Sequence, residues 1–278
     1  MNSLQFIVDD DRCTRCGECV RDCPSCIIRQ EGRALPAIPP ELEAQCIQCQ
    51  HCLAVCPTAA ISILGRNPDR SLPLTPGRFP APDAMIRLVR GRRSVRRYRD
   101  ANVDAALVEK LLSALANAPS GVNRRELTFT VIDDKDVMRR FRERMLAGLR
   151  TLADANRIPD HFAYIARAVP AWFDQRVDII LRGAPHALIV SAPPDAPAPR
   201  EDLALALAYF ELMAQSAGLG TVWCGLLKMA LEILPELKPV LGLPADHHYY
   251  TMLFGRPAVK YARAVQRDDG AKIQRVAL

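Results

Sequence analysis

The sequence predicts an α+β protein in which a small cysteine-rich N-terminal domain precedes a sandwich of helices packed on a central sheet. The chain has 278 residues, of which 49% are hydrophobic and 24% are charged, so it is long enough to bury a sizeable core. Nine of its ten cysteines precede residue 57. After residue 83, short β-branched segments alternate with long segments of helical periodicity, which is typical of helices covering a sheet.

Composition and patterning exclude several other classes of protein. The balance of apolar and charged residues is unlike that of disordered, collagen-like or coiled-coil chains. The longest apolar run, over 203–210, is far shorter than the roughly 18 residues of a membrane-spanning helix. The first residues also lack the basic and apolar regions of a signal peptide. We therefore expect a cytoplasmic protein without a membrane partner, whose clustered cysteines serve metal binding or catalysis rather than disulfides.

Charge and proline content divide the chain into three parts. Residues 1–65 contain five arginines, no lysine and eight acidic residues, a net charge of −3, whereas the remainder has 32 basic and 23 acidic residues, a net charge of +9. Between the two lies 66–83, with five prolines and no periodic apolar pattern. We predict a first domain over 1–65, a linker over 66–83 and a second domain over 84–278.

Periodicity predicts the elements of the second domain. Asp104 is expected to cap the first helix, because a short polar side chain at that position accepts a backbone N–H. His247 and His248 precede the last strand and are expected to be structural. The predicted helices are 105–118, 133–152, 161–181 and 200–217, and the predicted strands are 127–132, 186–191, 221–225 and 249–254.

The cysteines of the first domain form an internal repeat. Residues 13–24 read CTRCGECVRDCP and residues 46–57 read CIQCQHCLAVCP, so both runs are C-x2-C-x2-C-x3-C-P. This run is typical of two-cluster bacterial ferredoxins, in which the fourth cysteine of each run binds the other cluster. One [4Fe–4S] cluster is therefore predicted on Cys13, Cys16, Cys19 and Cys56, and a second on Cys46, Cys49, Cys52 and Cys23.

Two zinc sites are the alternative interpretation of these cysteines, since zinc also binds four thiolates. Zinc motifs usually consist of separated C-x2-C pairs, so two complete four-cysteine runs that each end in proline favour iron–sulfur clusters. The two remaining cysteines, Cys26 and Cys224, are expected to be small packing residues.

Seven arginines crowd the start of the second domain. A nucleic-acid surface is one interpretation of such a basic run. The run is GRRSVRRYRD at its centre, and arginines combined with a serine hydroxyl suit a single fixed phosphate better than a long polyanion. No nucleic-acid partner is therefore expected. The arginines are Arg87, Arg90, Arg92, Arg93, Arg96, Arg97 and Arg99.

Four segments of the second domain resemble, in order, the motifs of the nitroreductase superfamily of FMN flavoproteins. They are RRSVRRY, APSGVN, AQSAGLGTVWCG and LFGRPAVKYARAVQR, and they extend over essentially all of 84–267. The resemblance implies an FMN-binding α+β sandwich that forms a tight homodimer, with FMN at the subunit interface. A fusion to an N-terminal two-cluster ferredoxin domain is itself a recognised subfamily.

The resemblance also implies which residues bind FMN. Arg92, Arg93, Ser94 and Arg96 would hold the phosphate and ribityl oxygens, and Pro119, Ser120, Gly121 and Asn123 would approach the isoalloxazine, at least partly from the partner subunit. The Gly218–Gly220 turn and Thr221 would bring backbone groups to the flavin, and Arg263 or Arg267 would complete the phosphate site. Members of the family usually continue the APSGxN loop with Gln-Pro-Trp, whereas residues 124–127 of this chain read RREL. The aromatic residues of 161–181 would either cover the flavin or pack in the core.

The two cofactors together imply a redox function. Iron–sulfur clusters carry single electrons and a flavin accepts one or two, so we expect a ferredoxin-linked, FMN-dependent reductase of nitro, quinone or activated-alkene acceptors. No catalytic side chain is identified. The electron donor is either a ferredoxin or NAD(P)H, although no G-x-G-x-x-G motif indicates a Rossmann domain. The alternative is an electron-transfer or redox-sensing partner protein without a dedicated small-molecule substrate.

Overall fold

The computed structural model describes residues 4–74, 77, 79–267 and 270–277. Its contacts define two compact units: unit 1 comprises Met1–Phe79 and Val122–Arg124, and unit 2 comprises Pro80–Gly121 and Arg125–Leu278. Thr75, Pro76 and Arg78, which belong to the predicted linker, lie outside the described residues.

Unit 1 repeats its backbone as well as its cysteines. Strand β1 (Ile7–Val8) pairs antiparallel with β2 (Ile61–Ser62), while helices α1 (Glu18–Arg21) and α2 (His51–Val55) begin 33 residues apart. The same spacing relates four pairs of residues with positive φ, so the turns as well as the helices are duplicated. The pairs are Arg15 and Gln48, Gly17 and Gln50, Cys26 and Ala59, and Gly32 and Gly65.

The core of unit 1 is small and consists mainly of isoleucine side chains, among them Ile27, Ile28, Ile61 and Ile63, which are each at most 2% exposed. The expectation that Cys26 is a packing residue was wrong, because Cys26 is exposed. Its φ of 51° places it in a turn closed by a bond from its N–H to the carbonyl of Cys23 (2.9 Å), and Ile27 and Ile28 fill the core immediately after it.

The predicted linker contains short helical structure at both ends. A 3-10 turn over Pro68–Arg70 places Asp69 2.9 Å from Arg12, so this part of the segment contacts the rest of unit 1. At the other end, a helix already begins at Pro82. Proline suits both starts, since its missing N–H would have no helical partner at the first positions of a helix.

Helices and strands alternate along the chain in unit 2, and short 3-10 turns occur in both units. Further 3-10 turns occur at Pro40–Gln45 in unit 1 and at Leu115–Asn117, Gly121–Asn123 and Asp160–Phe162. The helices and strands of unit 2 are α3 (Pro82–Gly91), α4 (Ala105–Ala114), β3 (Thr128–Ile132), α5 (Lys135–Asp154), α6 (Ala163–Ala166), α7 (Ala168–Gln175), β4 (His186–Ala192), α8 (Pro199–Ser216), β5 (Gly220–Trp223), α9 (Gly225–Ile233), α10 (Leu237–Val240) and β6 (His248–Gly255).

A four-stranded antiparallel sheet in the order β3-β4-β6-β5 forms the centre of unit 2. Helices α5, α7 and α9 pack on one face, and α4 and α8 pack on the other. Every residue of β4 is buried, as expected for a central strand covered on both sides. Among the described residues, no helix is both long and apolar enough to cross a membrane.

The predicted elements are largely confirmed, with one clear exception. Asp104 caps α4 as expected, accepting the N–H of Leu107 at 2.9 Å. The helix predicted over 161–181 ends at Gln175, because Arg176 adopts a left-handed conformation and the following loop is held by a buried ion pair between Asp178 and Arg142 (2.8 Å).

The aromatic residues of the α6–α7 segment divide between the core and the surface. Trp172 and Phe173 are partly buried and pack against the core. Tyr164, by contrast, is 50% exposed. Core packing therefore accounts for the α7 rings and leaves Tyr164 on the surface.

His186, at the start of β4, should make the stability of unit 2 depend on pH. The side chain is fully buried, its Nε2 accepts the N–H of Val103 (2.9 Å), and burial lowers its pKa below 6.5 despite the opposing effects of Asp133 and Asp134. Because the unfolded state binds the proton more readily, the histidine's contribution is complete above pH 6.5 and is lost as the pH falls toward the lower folded pKa.

This dependence can be measured by urea unfolding followed through tryptophan fluorescence, since both tryptophans of the chain lie in unit 2. Between pH 8 and about pH 6, the unfolding free energy should fall in the wild type and much less in His186→Gln. The exposed residue His161 provides the matched control, and His161→Gln should retain the wild-type dependence. If the unfolding free energy fell equally with pH in the wild type and in His186→Gln, the pH dependence could not be assigned to His186.

Candidate cofactor sites

The eight repeat cysteines of unit 1 line two separate cavities. Cys13, Cys16, Cys19 and Cys56 line the first, and Cys23, Cys46, Cys49 and Cys52 line the second. The fourth cysteine of each run thus lies with the first three of the other run, which is the grouping expected for two crossed clusters. Among the described residues, no three His, Cys, Asp or Glu side chains converge on a site for a single metal ion.

Apolar side chains and backbone N–H groups surround the thiols. Ile61 lines the first cavity, and Ile27, Ile28 and Ile63 line the second. The N–H of Ala60 lies 3.2 Å from Cys56 Sγ, and the N–H of Gln48 lies 3.4 Å from Cys46 Sγ. Such bonds to sulfur, together with exclusion of water, are what a protein uses to set the potential of a bound cluster.

The surroundings shift the pKa values of the cysteine thiols in opposite directions. Burial raises the pKa of Cys52 to about 12, and it also raises the pKa of Cys19 and of Cys46. In contrast, a hydrogen bond from the backbone of Glu18 lowers the pKa of Cys16. Since metal ligands must be thiolates, the buried thiols would release protons on binding iron.

In unit 2, the arginine-rich segment after α3 extends along the edge strand β5. The N–H of Val95 donates to the carbonyl of Thr221 at 2.8 Å, and Ser94 pairs with Thr221 as in a parallel sheet. This approach requires glycine at position 220, where a Cβ atom would lie only 2.6–2.8 Å from the side chain of Val95. The structure therefore brings together six of the predicted FMN residues: Arg92, Arg93, Ser94, Arg96, Gly220 and Thr221.

A buried carboxylate that the sequence did not indicate lies behind this segment. Glu211 on α8 is 6% exposed, and its Oε1 accepts bonds from Arg92 Nη1 (3.0 Å) and Thr221 Oγ1 (3.1 Å). Its Oε2 accepts a bond from Trp223 Nε1 (3.1 Å). One carboxylate therefore joins the arginine segment, α8 and β5.

The start of the C-terminal tail also pairs with the arginine segment. The N–H of Arg99 donates to the carbonyl of Arg256, and the N–H of Ala258 donates to the carbonyl of Arg97, both at 2.9 Å. The two tail arginines of the sequence prediction lie beyond this pairing. Arg263 and Arg267 are exposed, and Arg267 donates to the carbonyl of its neighbour Gln266.

The Pro119–Gly121 loop lies near the opposite end of α8 from Arg92. The N–H of Gly121 donates to both carboxylate oxygens of Asp202 (3.0 and 3.2 Å), a residue in the first turn of α8. Nine residues of helix separate Asp202 from Glu211, about 13 Å along the axis. The hydroxyl of Ser120 accepts the N–H of Arg125 (2.9 Å). Asn123 belongs to unit 1, where its Nδ2 donates to the carbonyl of Ile47 (2.8 Å).

Unit 2 also contains an open cleft of about 730 Å³. Its aromatic wall includes Trp223 and Tyr250, whose ring centroids are 5.5 Å apart. His247 also lines the cleft, and its Nδ1 lies 3.3 Å from Ser191 Oγ. His247 and His248 were expected to be structural, because no sequence motif marks a cleft that forms where the starts of β6 and α8 meet. The lining residues are Arg200, Leu203, Ala204, Trp223, Lys228, Glu232, His247, His248, Tyr249 and Tyr250.

The fold and the cysteine cavities define the class of the protein: an α+β domain preceded by an iron–sulfur domain of ferredoxin type. The model of the Nitroreductase family matches residues 89–256, and that of the 4Fe-4S dicluster domain matches residues 12–61. The first match covers more than half of the chain, and the chain therefore belongs to the nitroreductase family.

Two curated relatives are each named putative NADH dehydrogenase/NAD(P)H nitroreductase. The protein from Archaeoglobus fulgidus is 26% identical over 161 residues, which are 58% of this chain and 78% of the relative. The protein from Methanothermobacter thermautotrophicus is also 26% identical, over 182 residues, with 59% and 78% of the two chains covered. The shared region thus accounts for most of each relative and for somewhat more than half of this chain.

Solved structures share the fold of the second unit. A nitroreductase with bound FMN from Bacteroides fragilis matches with a TM-score of 0.53 at 22% identity, covering 68% of this chain and 98% of its own. A nitroreductase with bound FMN from Desulfitobacterium hafniense matches with a TM-score of 0.54 at 21% identity, covering 69% and 98%. At these identities the likeness establishes the fold alone.

Proposed function

We propose that this protein is an FMN-dependent reductase in which two [4Fe–4S] clusters deliver electrons to FMN for the reduction of an organic acceptor. When bound, the clusters would transfer single electrons and FMN one or two, which connects a one-electron donor to a two-electron acceptor. The observation that carries the proposal is the grouping of the eight cysteines around two cavities, in a chain whose other unit has the nitroreductase fold.

For the clusters, the proposed ligands are the two sets of four cysteines that line the cavities. The bonds from Ala60 N–H and Gln48 N–H to sulfur would stabilise the added electron. The surrounding isoleucine side chains would exclude water from the clusters.

For FMN, the proposed phosphate and ribityl ligands are Arg92, Arg93, Ser94 and Arg96, which lie beside Gly220 and Thr221. Arginine suits this task, because its planar donors match phosphate oxygens in pairs. The missing side chain of Gly220 permits the close approach of the two backbones. Either Arg263 or Arg267 would complete the phosphate site.

A homodimer would supply the remaining flavin contacts. Pro119, Ser120, Gly121 and Asn123 are proposed to approach the isoalloxazine, at least partly that of the partner subunit. The Pro119–Gly121 loop lies about two and a half helical turns from the Arg92 end of α8. Helix α3 has no buried residue and exposes Met85, Ile86 and Val89, which suits burial against a second copy.

The cleft of unit 2 is the proposed binding site of the acceptor. Its aromatic rings would stack on a planar molecule, while Arg200 would attract negatively charged groups. Nitro compounds, quinones and activated alkenes fit such a site. The proposed donor is a ferredoxin, as the cluster domain indicates, and NAD(P)H is the competing donor.

Anaerobic purification with assays for iron, sulfide and flavin tests the composition. We expect about eight iron atoms and one FMN per chain, the iron being the content of two cubanes. Reduction by ferredoxin and by NAD(P)H, each followed by addition of a nitroarene or a quinone, then identifies the donor and the acceptor. Zinc in place of iron, together with an absence of flavin, would refute the proposal. A fully loaded protein that reduces neither acceptor would instead favour the electron-transfer or redox-sensing function.

A further inference from the structure

Glu211 is an unusual residue for its position on α8. Its helical neighbours Leu207, Phe210 and Ala214 are fully buried, so the helix face around it is apolar. A buried carboxylate is costly to desolvate, and replacing a buried ion pair by apolar residues is often neutral or stabilising. The demands of core packing therefore do not explain a glutamate at this position.

The bonds made by Glu211 instead point to a role in orienting other side chains. Three donors converge on it, from Arg92 in the arginine segment and from Thr221 and Trp223 on β5. Arg92 and Glu211 are 119 residues apart in sequence, and the arginine side chain remains 29% exposed. The guanidinium is planar, so holding Nη1 at Glu211 fixes the directions of its remaining N–H donors.

We propose that Glu211 is a positioning residue that orients Arg92 toward the flavin phosphate and joins it to Trp223 on the wall of the cleft. This inference rests on the proposed function, in which Arg92 binds the phosphate of FMN. Glu211 would act on the flavin phosphate through Arg92. Its effect should therefore appear in recognition of the phosphate rather than in recognition of the isoalloxazine.

The direction of the change in FMN affinity distinguishes an orienting role of Glu211 from a purely electrostatic effect of its charge. A carboxylate near a phosphate repels it, so the loss of the Glu211 charge alone would tighten FMN binding. The loss of an orienting partner would weaken FMN binding, because phosphate binding would then have to immobilise the Arg92 side chain. The two explanations thus predict opposite changes in the dissociation constant of FMN.

The test is a flavin titration of the full chain, with its clusters in place and its flavin removed. FMN is compared with riboflavin, which has the same ring system and lacks the phosphate. In Glu211→Gln, we expect the dissociation constant of FMN to rise about tenfold, as for the loss of one charge-assisted hydrogen bond, and that of riboflavin to stay within about twofold. Glu109→Gln, an exposed change on α4 that removes the same charge, should leave both constants unchanged.

Glu211→Asp is the second variant, because it retains the charge and withdraws the carboxylate from its donors. This variant should also bind FMN more weakly, with an unchanged dissociation constant for riboflavin. It replaces the glutamine variant in the test if that variant does not fold. Equal weakening for both flavins would show a structural role and overturn the proposal, as would tighter binding of FMN. A wild-type protein that binds neither flavin would instead overturn the proposed function itself.

Discussion

Replacement of Cys23 by alanine is expected to remove the cluster held by the other run and to lower the iron content from about eight to about four atoms per chain. Cys23 follows the first three cysteines of its own run, but it lines the cavity of Cys46, Cys49 and Cys52. A cubane that loses one of its four thiolates loses an iron ligand, and the cluster should be lost on purification. Iron and sulfide assays on the anaerobically purified protein measure the effect.

Combined variants determine whether the fourth ligands are crossed. If Cys23 and Cys46 serve the same cluster, Cys23→Ala/Cys46→Ala should retain about four iron atoms, whereas Cys23→Ala/Cys13→Ala should retain none. Uncrossed ligands would give the reverse pattern. Cys26→Ala is the matched control, since Cys26 lies three residues from Cys23, is exposed and lines neither cavity. It should retain the full iron content.

Gly220→Ala should both destabilise unit 2 and weaken FMN binding. The new Cβ would lie 2.6–2.8 Å from three side-chain atoms of Val95, which is itself only 3% exposed and has no space in which to retreat. The arginine segment and β5 would be forced apart, at a cost of about 1–3 kcal/mol in unfolding free energy. Urea unfolding and flavin titration measure the two effects.

Gly91→Ala is the control for this substitution. Gly91 ends α3, and a Cβ atom added there meets no other atom within 4 Å, so stability should be unchanged or slightly raised. Val95→Gly removes the atoms that clash, and a double-mutant cycle should show a favourable coupling between positions 95 and 220. Additive effects of the two changes would contradict the close approach on which the flavin site depends.

The cysteine grouping was predictable because a single local pattern encodes it. The two runs repeat with a spacing of 33 residues, and the same spacing recurs in the positive φ values of the turns around them. The exposure of Cys26 was not predictable from that repeat. Its counterpart Ala59 is partly buried, whereas Cys26 itself lies exposed in its turn.

The proposed FMN site was less predictable from the sequence, because its contacts join distant parts of the chain. Periodicity places β5 and β6, but the sheet order and the pairing of Val95 with Thr221 follow only from the folded structure. Glu211 interrupts the apolar middle of α8, and its partner Arg92 is 119 residues away in sequence. Similarly, only the fold places His247 and Trp223 in one cleft.

Electrons are proposed to reach FMN through the clusters. Mixing the protein anaerobically with a reduced ferredoxin and following the bleaching of the flavin tests this pathway. The comparison is between the wild type and Cys13→Ala/Cys46→Ala, which should lose both clusters and retain FMN. We expect rapid bleaching in the wild type and little or none in the variant. Equally rapid bleaching of FMN in the two proteins would contradict it.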